Sequence, residues 1–172
     1  MAKRILINLG RCIYCRACEV ACEHVHGRSR IRVFEYAEIM AIPLNCRHCE
    51  KAPCIEVCPT RALYKDDDGA VVLQPLKCIG CMMCAIVCPF GVPELDESNK
   101  IMAKCDLCKS RRERGELPAC VTVCPADALV YGDVEELMVE KKKLVVEKVV
   151  TSLREGTVPP FLASMGFVGK SR

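Results

Sequence analysis

The sequence predicts an α+β fold made of two small cysteine-rich modules, one inserted in the other, with small β-hairpins and short helices, then a C-terminal helix and an extended tail. Three observations predict it. Sixteen cysteines fall into four copies of one spacing with no thiol left over, and such self-similarity marks repeated units. Short apolar runs flanking a glycine-bearing turn, as in 61–73, mark hairpins. At Asp133 the cysteines have ended and a helix-prone run begins, closed by Gly156 and Pro159-Pro160.

The chain of 172 residues has room for one domain or two small ones. It has no Trp, four Phe and four Tyr, so the large side chains that dominate burial are scarce. The cysteines stand in for that core, because groups that cross-link loops supply folding energy through ligand binding.

Two near-copies sit in the middle: Cys46-Arg-His-Cys49-Glu-Lys-Ala-Pro-Cys54-Ile-Glu-Val-Cys58-Pro59 and Cys78-Ile-Gly-Cys81-Met-Met-Cys84-Ala-Ile-Val-Cys88-Pro89. Each has three closely spaced thiols and a fourth followed by proline. Three such thiolates wrap a loop around one [4Fe–4S] cube, while the fourth points away and reaches the other cube of a two-cluster unit. The expected ligand sets are Cys46, Cys49, Cys54 with Cys88, and Cys78, Cys81, Cys84 with Cys58. Zinc and disulfides compete for C-x-x-C pairs. A four-cysteine zinc site, however, uses two such pairs and leaves the odd thiol of each motif without a role.

The outer motifs follow by elimination. A strand at 3–9 runs into Cys12-Ile-Tyr-Cys15-Arg-Ala-Cys18-Glu-Val-Ala-Cys22, which lacks the proline. Cys105-Asp-Leu-Cys108 and, eleven residues on, Cys120-Val-Thr-Val-Cys124-Pro125 complete the series. The expected sets are Cys12, Cys15, Cys18 with Cys124, and Cys105, Cys108, Cys120 with Cys22. Residues 1–44 and 91–132 then form an outer ferredoxin-like module, 45–90 an inserted one, and 133–172 a C-terminal helix and docking tail.

This four-motif order, the gap at 50–53, the stretch Lys104-Cys105-Asp106-Leu107-Cys108 and the gap at 109–119 resemble the four-cluster subunits of the dimethyl-sulfoxide-reductase beta-subunit family. The resemblance covers about residues 3–132. It implies cross-ligation of the kind derived above and clusters aligned as a wire. It also implies a larger catalytic redox subunit as partner. A molybdenum or tungsten enzyme oxidising aldehyde or formate is favoured; hydrogenase and carbon monoxide dehydrogenase are alternatives, and a ferredoxin is a possible carrier. Some relatives replace one cysteine of the third motif by Trp; Cys81 here implies four cubes.

The remaining segments read more plainly. Residues 31–36 form a strand. His24, His26 and His48 are polar surface or ligand-supporting residues, since every cube already has four thiolates. Asp66-Asp-Asp-Gly69 is a solvated turn without the distal glutamate of a calcium loop. Residues 110–118 form a charged loop, either solvated or a docking surface. The helix over 134–154 has an apolar surface too broad for one contact, so it either breaks near Lys141-Lys-Lys143 or packs on two surfaces. In the tail, Phe161, Leu162, Met165, Phe167 and Val168 are candidates for docking a partner or a second copy.

The formal charge of +3 counts thiols as neutral. Four oxidised cubes at about −2 each take the chain to roughly −5, so the Lys and Arg surplus compensates cofactors rather than binding nucleic acid. No signal peptide is evident in 1–9, and no apolar run reaches about eighteen residues, so a cytoplasmic, anaerobic protein without a membrane span is expected. One Gln and three Asn beside abundant Lys and Glu fit a thermophile. The expected function is single-electron relay without an active site. A freely diffusing polyferredoxin and a cluster-stabilised scaffold are the alternatives.

Overall fold

In the computed structural model, which describes residues 3–155 and 157, the chain divides into two units, Met1–Asp133 and Val134–Arg172. The first runs β1 (Lys3–Ile7), α1 (Ala17–His26), β2 (Arg32–Tyr36), β3 (Met40–Leu44), α2 (Pro53–Glu56), β4 (Leu63–Lys65), β5 (Val71–Leu73), α3 (Met83–Ile86), β6 (Glu94–Asp96), β7 (Ile101–Ala103), α4 (Lys109–Arg112), α5 (Ala119–Thr122) and β8 (Leu129–Asp133). The second contains α6 (Val134–Arg154). The fold class is α+β, as the sequence predicts.

The strands make four two-stranded antiparallel sheets: β1–β8, β2–β3, β4–β5 and β6–β7. β1 meets β8 with Lys3 opposite Asp133, which ties the two ends of the cysteine region together. The partner of β2 is a strand that the sequence reading did not include. Pro43 hides it, yet a two-stranded ribbon tolerates proline because one edge needs no donor.

The repeat seen in the sequence is also a repeat of backbone. The residue before the second cysteine of each motif, Tyr14, His48, Gly80 and Leu107, is left-handed, with φ of 58°, 47°, 67° and 55°. That turn folds each C-x-x-C back on itself; three of the four are not glycine, so the surrounding structure holds them there at a cost of about 1 kcal/mol or more each. The third cysteine then sits on a helix: Cys18 on α1, Cys54 on α2, Cys84 on α3 and Cys120 on α5. Where proline follows the fourth cysteine, the chain turns at once. Arg61, Gly91 and Asp127, each three residues past that cysteine, are left-handed and donate their N–H to its carbonyl at 3.1–3.3 Å. Cys22 is followed by Glu23 instead, so α1 continues to His26 and ends on left-handed Gly27.

Two small cores fill the interior. One joins Ile5, Ile31, Val33, Val72, Leu107 and Leu129 with Cys18, Cys22 and Cys120. The other joins Ala52, Leu63, Val71, Met102 and Cys84. β5 lies between them, and its alternating side chains send Val71 to one core and Val72 to the other. Both cores count thiols among their members, as the shortage of aromatics requires.

One expectation is corrected and two are narrowed. The Asp66-Asp-Asp turn is not simply solvated: Asp66 and Asp68 both pair with Arg112, whose side chain is 5% exposed. The 110–118 segment keeps Ser110, Glu113, Arg114, Gly115 and Leu117 exposed, while Arg112 turns inward and Arg111 and Arg114 pair with Glu116. Of the two roles expected for His48, the structure excludes the surface one: it is 1% exposed and its Nδ1 accepts the Val71 N–H at 3.0 Å. Furthermore, α6 is continuous through Lys141-Lys-Lys143, since three lysines on a helix that exposes them carry no strong breaking signal. Met138, Leu144, Val145, Val146 and Val150 on that helix remain exposed. The predicted docking residues Phe161, Leu162, Met165, Phe167 and Val168 lie outside the described residues.

Candidate metal centres

None of the sixteen cysteines forms a disulfide. Cys12, Cys15, Cys18 and Cys124 line one cavity with Val33, Pro43 and Leu129. Cys58, Cys78, Cys81 and Cys84 line another with Leu63, Leu73 and Met102. The fourth thiol of each cavity comes from a distant motif, and each wall is otherwise largely apolar.

The other thiols are related through their electrostatics. Cys120 is raised well above the usual thiol range by burial and then by Cys105, Cys108, Cys22 and Cys18. Cys108 is raised by burial, Asp106 and Cys22. Cys54 is raised by burial and, against the opposing Lys104, by Cys46 and Cys88. Further electrostatic influences link thiols of different motifs: Cys18 raises Cys120, Cys46 raises Cys105, and Cys54 raises Cys84. Among the described residues, no three His, Cys, Asp or Glu side chains close on a point as ligands of a single ion do.

Donors to sulfur repeat as well. The N–H of Ala62 points to Cys58 Sγ at 3.2 Å and that of Ala128 to Cys124 Sγ at 3.3 Å, each from four residues downstream. Ala62 and Ala128 are both 1% exposed, and the Leu63 and Leu129 that follow are both 3% exposed, so these two turns are built alike. Cys22 takes its N–H from Arg30 instead, at 3.2 Å, because helix α1 displaces the chain. Met102 donates to Cys78 Sγ at 3.4 Å. Burial acts upward on Cys58, but Ala62 and Thr60 outweigh it and its thiol lies below the usual range. Elsewhere burial prevails, raising Cys18 and Cys84 to about 11.

The arrangement fits iron–sulfur groups. Buried, mutually repelling thiols ionise only at a cost unless a cation joins them, and iron supplies that charge. The Asn45 side-chain amide beside Cys46 and Nε2 of His48 are buried without a partner in the protein, which suits a sulfur-bearing neighbour. His26 places Nε2 at 3.3 Å from Cys108 Sγ and 3.7 Å from Asp106, whereas His24 is exposed. Histidine therefore supports a thiol here.

One signal in the sequence went unread. After the first cysteine of the four motifs stand Ile13, Arg47, Ile79 and Asp106, and two residues after the third stand Val20, Glu56, Ile86 and Thr122. The first and third motifs thus carry apolar residues where the second and fourth carry polar ones. Ile13, Val20, Ile79 and Ile86 are 63–77% exposed, and the two exposed thiols, Cys15 and Cys81, belong to the same two motifs.

Paired thiol loops in short turns and helices define an iron–sulfur electron carrier. Residues 37–134 match the family model described as a 4Fe-4S dicluster domain. The chain is 40% identical over 145 residues to the thiosulfate reductase electron transfer subunit PhsB of Salmonella typhi, covering 76% of each protein. It is 37% identical to the B subunit of the anaerobic dimethyl sulfoxide reductase of Escherichia coli, covering 76% of this protein and 73% of that one. To the B subunit of the polysulfide reductase of Wolinella succinogenes it is 36% identical over 86% of each protein; that match reaches past the cysteine region into the C-terminal segment. The chain belongs to the iron–sulfur electron-transfer subunits of the dimethyl-sulfoxide-reductase family. It carries four [4Fe–4S] clusters and is a non-catalytic subunit of an oxidoreductase. No helix among the described residues is long and apolar enough to cross a membrane.

Proposed function

We propose that this chain relays single electrons through four clusters, held in order by Cys12, Cys15, Cys18 and Cys124; by Cys22, Cys105, Cys108 and Cys120; by Cys46, Cys49, Cys54 and Cys88; and by Cys58, Cys78, Cys81 and Cys84. The observation that carries this reading is the exposure of Cys15 and Cys81 alone among the thiols. They belong to the first and last sets of the series, and the inner sets have no exposed thiol. The chain's own residues leave no thiol of the inner sites fully exposed, donate N–H groups to sulfur and present apolar rims at the two ends. When bound, each cluster supplies one-electron redox chemistry with little rearrangement.

Ile13 and Val20 at one end and Ile79 and Ile86 at the other give two separate partners a dry contact, where desolvation favours association. One partner is a larger molybdenum or tungsten oxidoreductase subunit; the other is a ferredoxin or a further subunit, in the cytoplasm. Aldehyde or formate oxidation remains one chemistry for the catalytic partner. The names of the three relatives favour a second, reduction of a sulfur compound. The C-terminal segment serves as an added docking element through Phe161, Leu162, Met165, Phe167 and Val168.

The test is the crossed ligation. Cys58→Ser should alter the paramagnetic signal that Cys81→Ser alters and spare the one that Cys49→Ser alters. A change confined to the Cys49 signal overturns the pairing.

A further inference from the structure

Between the second and third thiol sets lies a buried lysine with no carboxylate to neutralise it. Lys104 is 3% exposed. Its Nζ donates to two backbone carbonyls, that of Cys105 at 2.6 Å and that of Val71, and no ion pair joins it among the described residues. Two carbonyl dipoles take two of its three donors but do not cancel the charge, and a buried cation without a counter-charge is costly. Arg112, by contrast, is held by Asp66 and Asp68.

The surroundings of Lys104 lead to both inner sites. On one side its own backbone continues into Cys105. On the other, Val71, whose carbonyl it holds, donates its N–H to His48 Nδ1 at 3.0 Å, and the His48 N–H points to Cys46 Sγ at 3.4 Å. Hydrogen bonds thus connect Lys104 to a thiol of the third set while the chain connects it to a thiol of the second.

We propose that Lys104 is the fixed counter-charge shared by the two inner clusters, a positioning residue that raises both their potentials and holds the middle of the relay accessible to electrons. A positive charge in a site shielded from water stabilises the reduced, more anionic state of each neighbouring cluster. The end clusters, whose thiols Cys15 and Cys81 are exposed, are more open to screening by solvent. The proposal rests on the ligand sets proposed above.

The experiment is a potentiometric titration of the whole protein followed by paramagnetic resonance. Cys15→Ser, Cys108→Ser, Cys49→Ser and Cys81→Ser first assign one signal to each site; if they fail to mark four separate signals, the ligand reading fails, independently of Lys104. Lys104→Met and Lys104→Gln, the latter keeping donors without charge, are then titrated. The expected result is full iron content, lower midpoint potentials for the Cys108 and Cys49 signals, unchanged midpoints for the Cys15 and Cys81 signals, and recovery in Lys104→Arg. Unchanged inner midpoints, an equal shift of all four, or failure of both neutral variants to load iron would each overturn it, the last by making Lys104 a folding residue.

Discussion

The guanidinium of Arg112 donates to Asp66 and Asp68 through its two terminal nitrogens and to the Leu107 carbonyl through Nε at 3.0 Å. It thereby fastens the β4–β5 turn to the left-handed loop that carries Cys108. Breaking a buried pair by removing one partner costs about 3–5 kcal/mol. Asp66 keeps the Ala70 N–H at 2.7 Å when Arg112 is lost, so Arg112→Met should cost about 3 kcal/mol, at the low end. Denaturant unfolding of the cluster-loaded protein measures this, and Asp66→Asn in the same chain should recover part of the loss. An effect below about 1 kcal/mol, typical of exposed pairs, would show that the pair is solvated after all. Three aspartates in a row gave no hint of this contact, because the partner lies more than forty positions away.

At the scale of the element, the C-x-x-C turn is the working part, and Gly80 is where it is tightest. With φ of +67°, a Cβ there would stand 2.4 Å from the Lys100 carbonyl oxygen in the turn between β6 and β7. Gly80→Ala must therefore push two backbones apart, in addition to the roughly 1–2 kcal/mol of left-handed strain. The expected outcome is loss of the cluster beside Cys81 with the others kept, read as a fall from about sixteen to about twelve iron per chain. Gly91, also left-handed but with open space around it, is the control: Gly91→Ala should retain all four clusters. Equal iron loss in both variants would assign the effect to conformation rather than to the close approach.

For the whole molecule, the division between Met1–Asp133 and Val134–Arg172 separates the cysteines from a helix with exposed apolar side chains. Every cysteine lies in the first unit, while α6 exposes Met138, Leu144, Val145, Val146 and Val150. Truncation after Asp133 should leave about sixteen iron and sixteen sulfide per chain and unchanged cluster spectra, while co-purification of the partner is lost. Iron analysis and pull-down from the native cell read both. Loss of clusters with association intact would reverse the assignment.

Much of this protein could be read from the chain. Thiol spacing declares the cofactor because ligand geometry is local: three cysteines within a few residues must share one group, and a following proline must turn the chain. The strands at 3–9 and 31–36, the 61–73 hairpin and the helix over 134–154 were legible for the same reason, since turn glycines and apolar periodicity act over a few neighbours. Tertiary structure alone decided the rest. The pairing of β3, hidden by Pro43, the burial of His48, the grip of Asp66 and Asp68 on Arg112 and the burial of Lys104 against the Val71 carbonyl all depend on contacts between residues far apart in sequence. A charged side chain reads as solvated until the fold brings it a partner, because burial is a property of the assembled core and not of the residue.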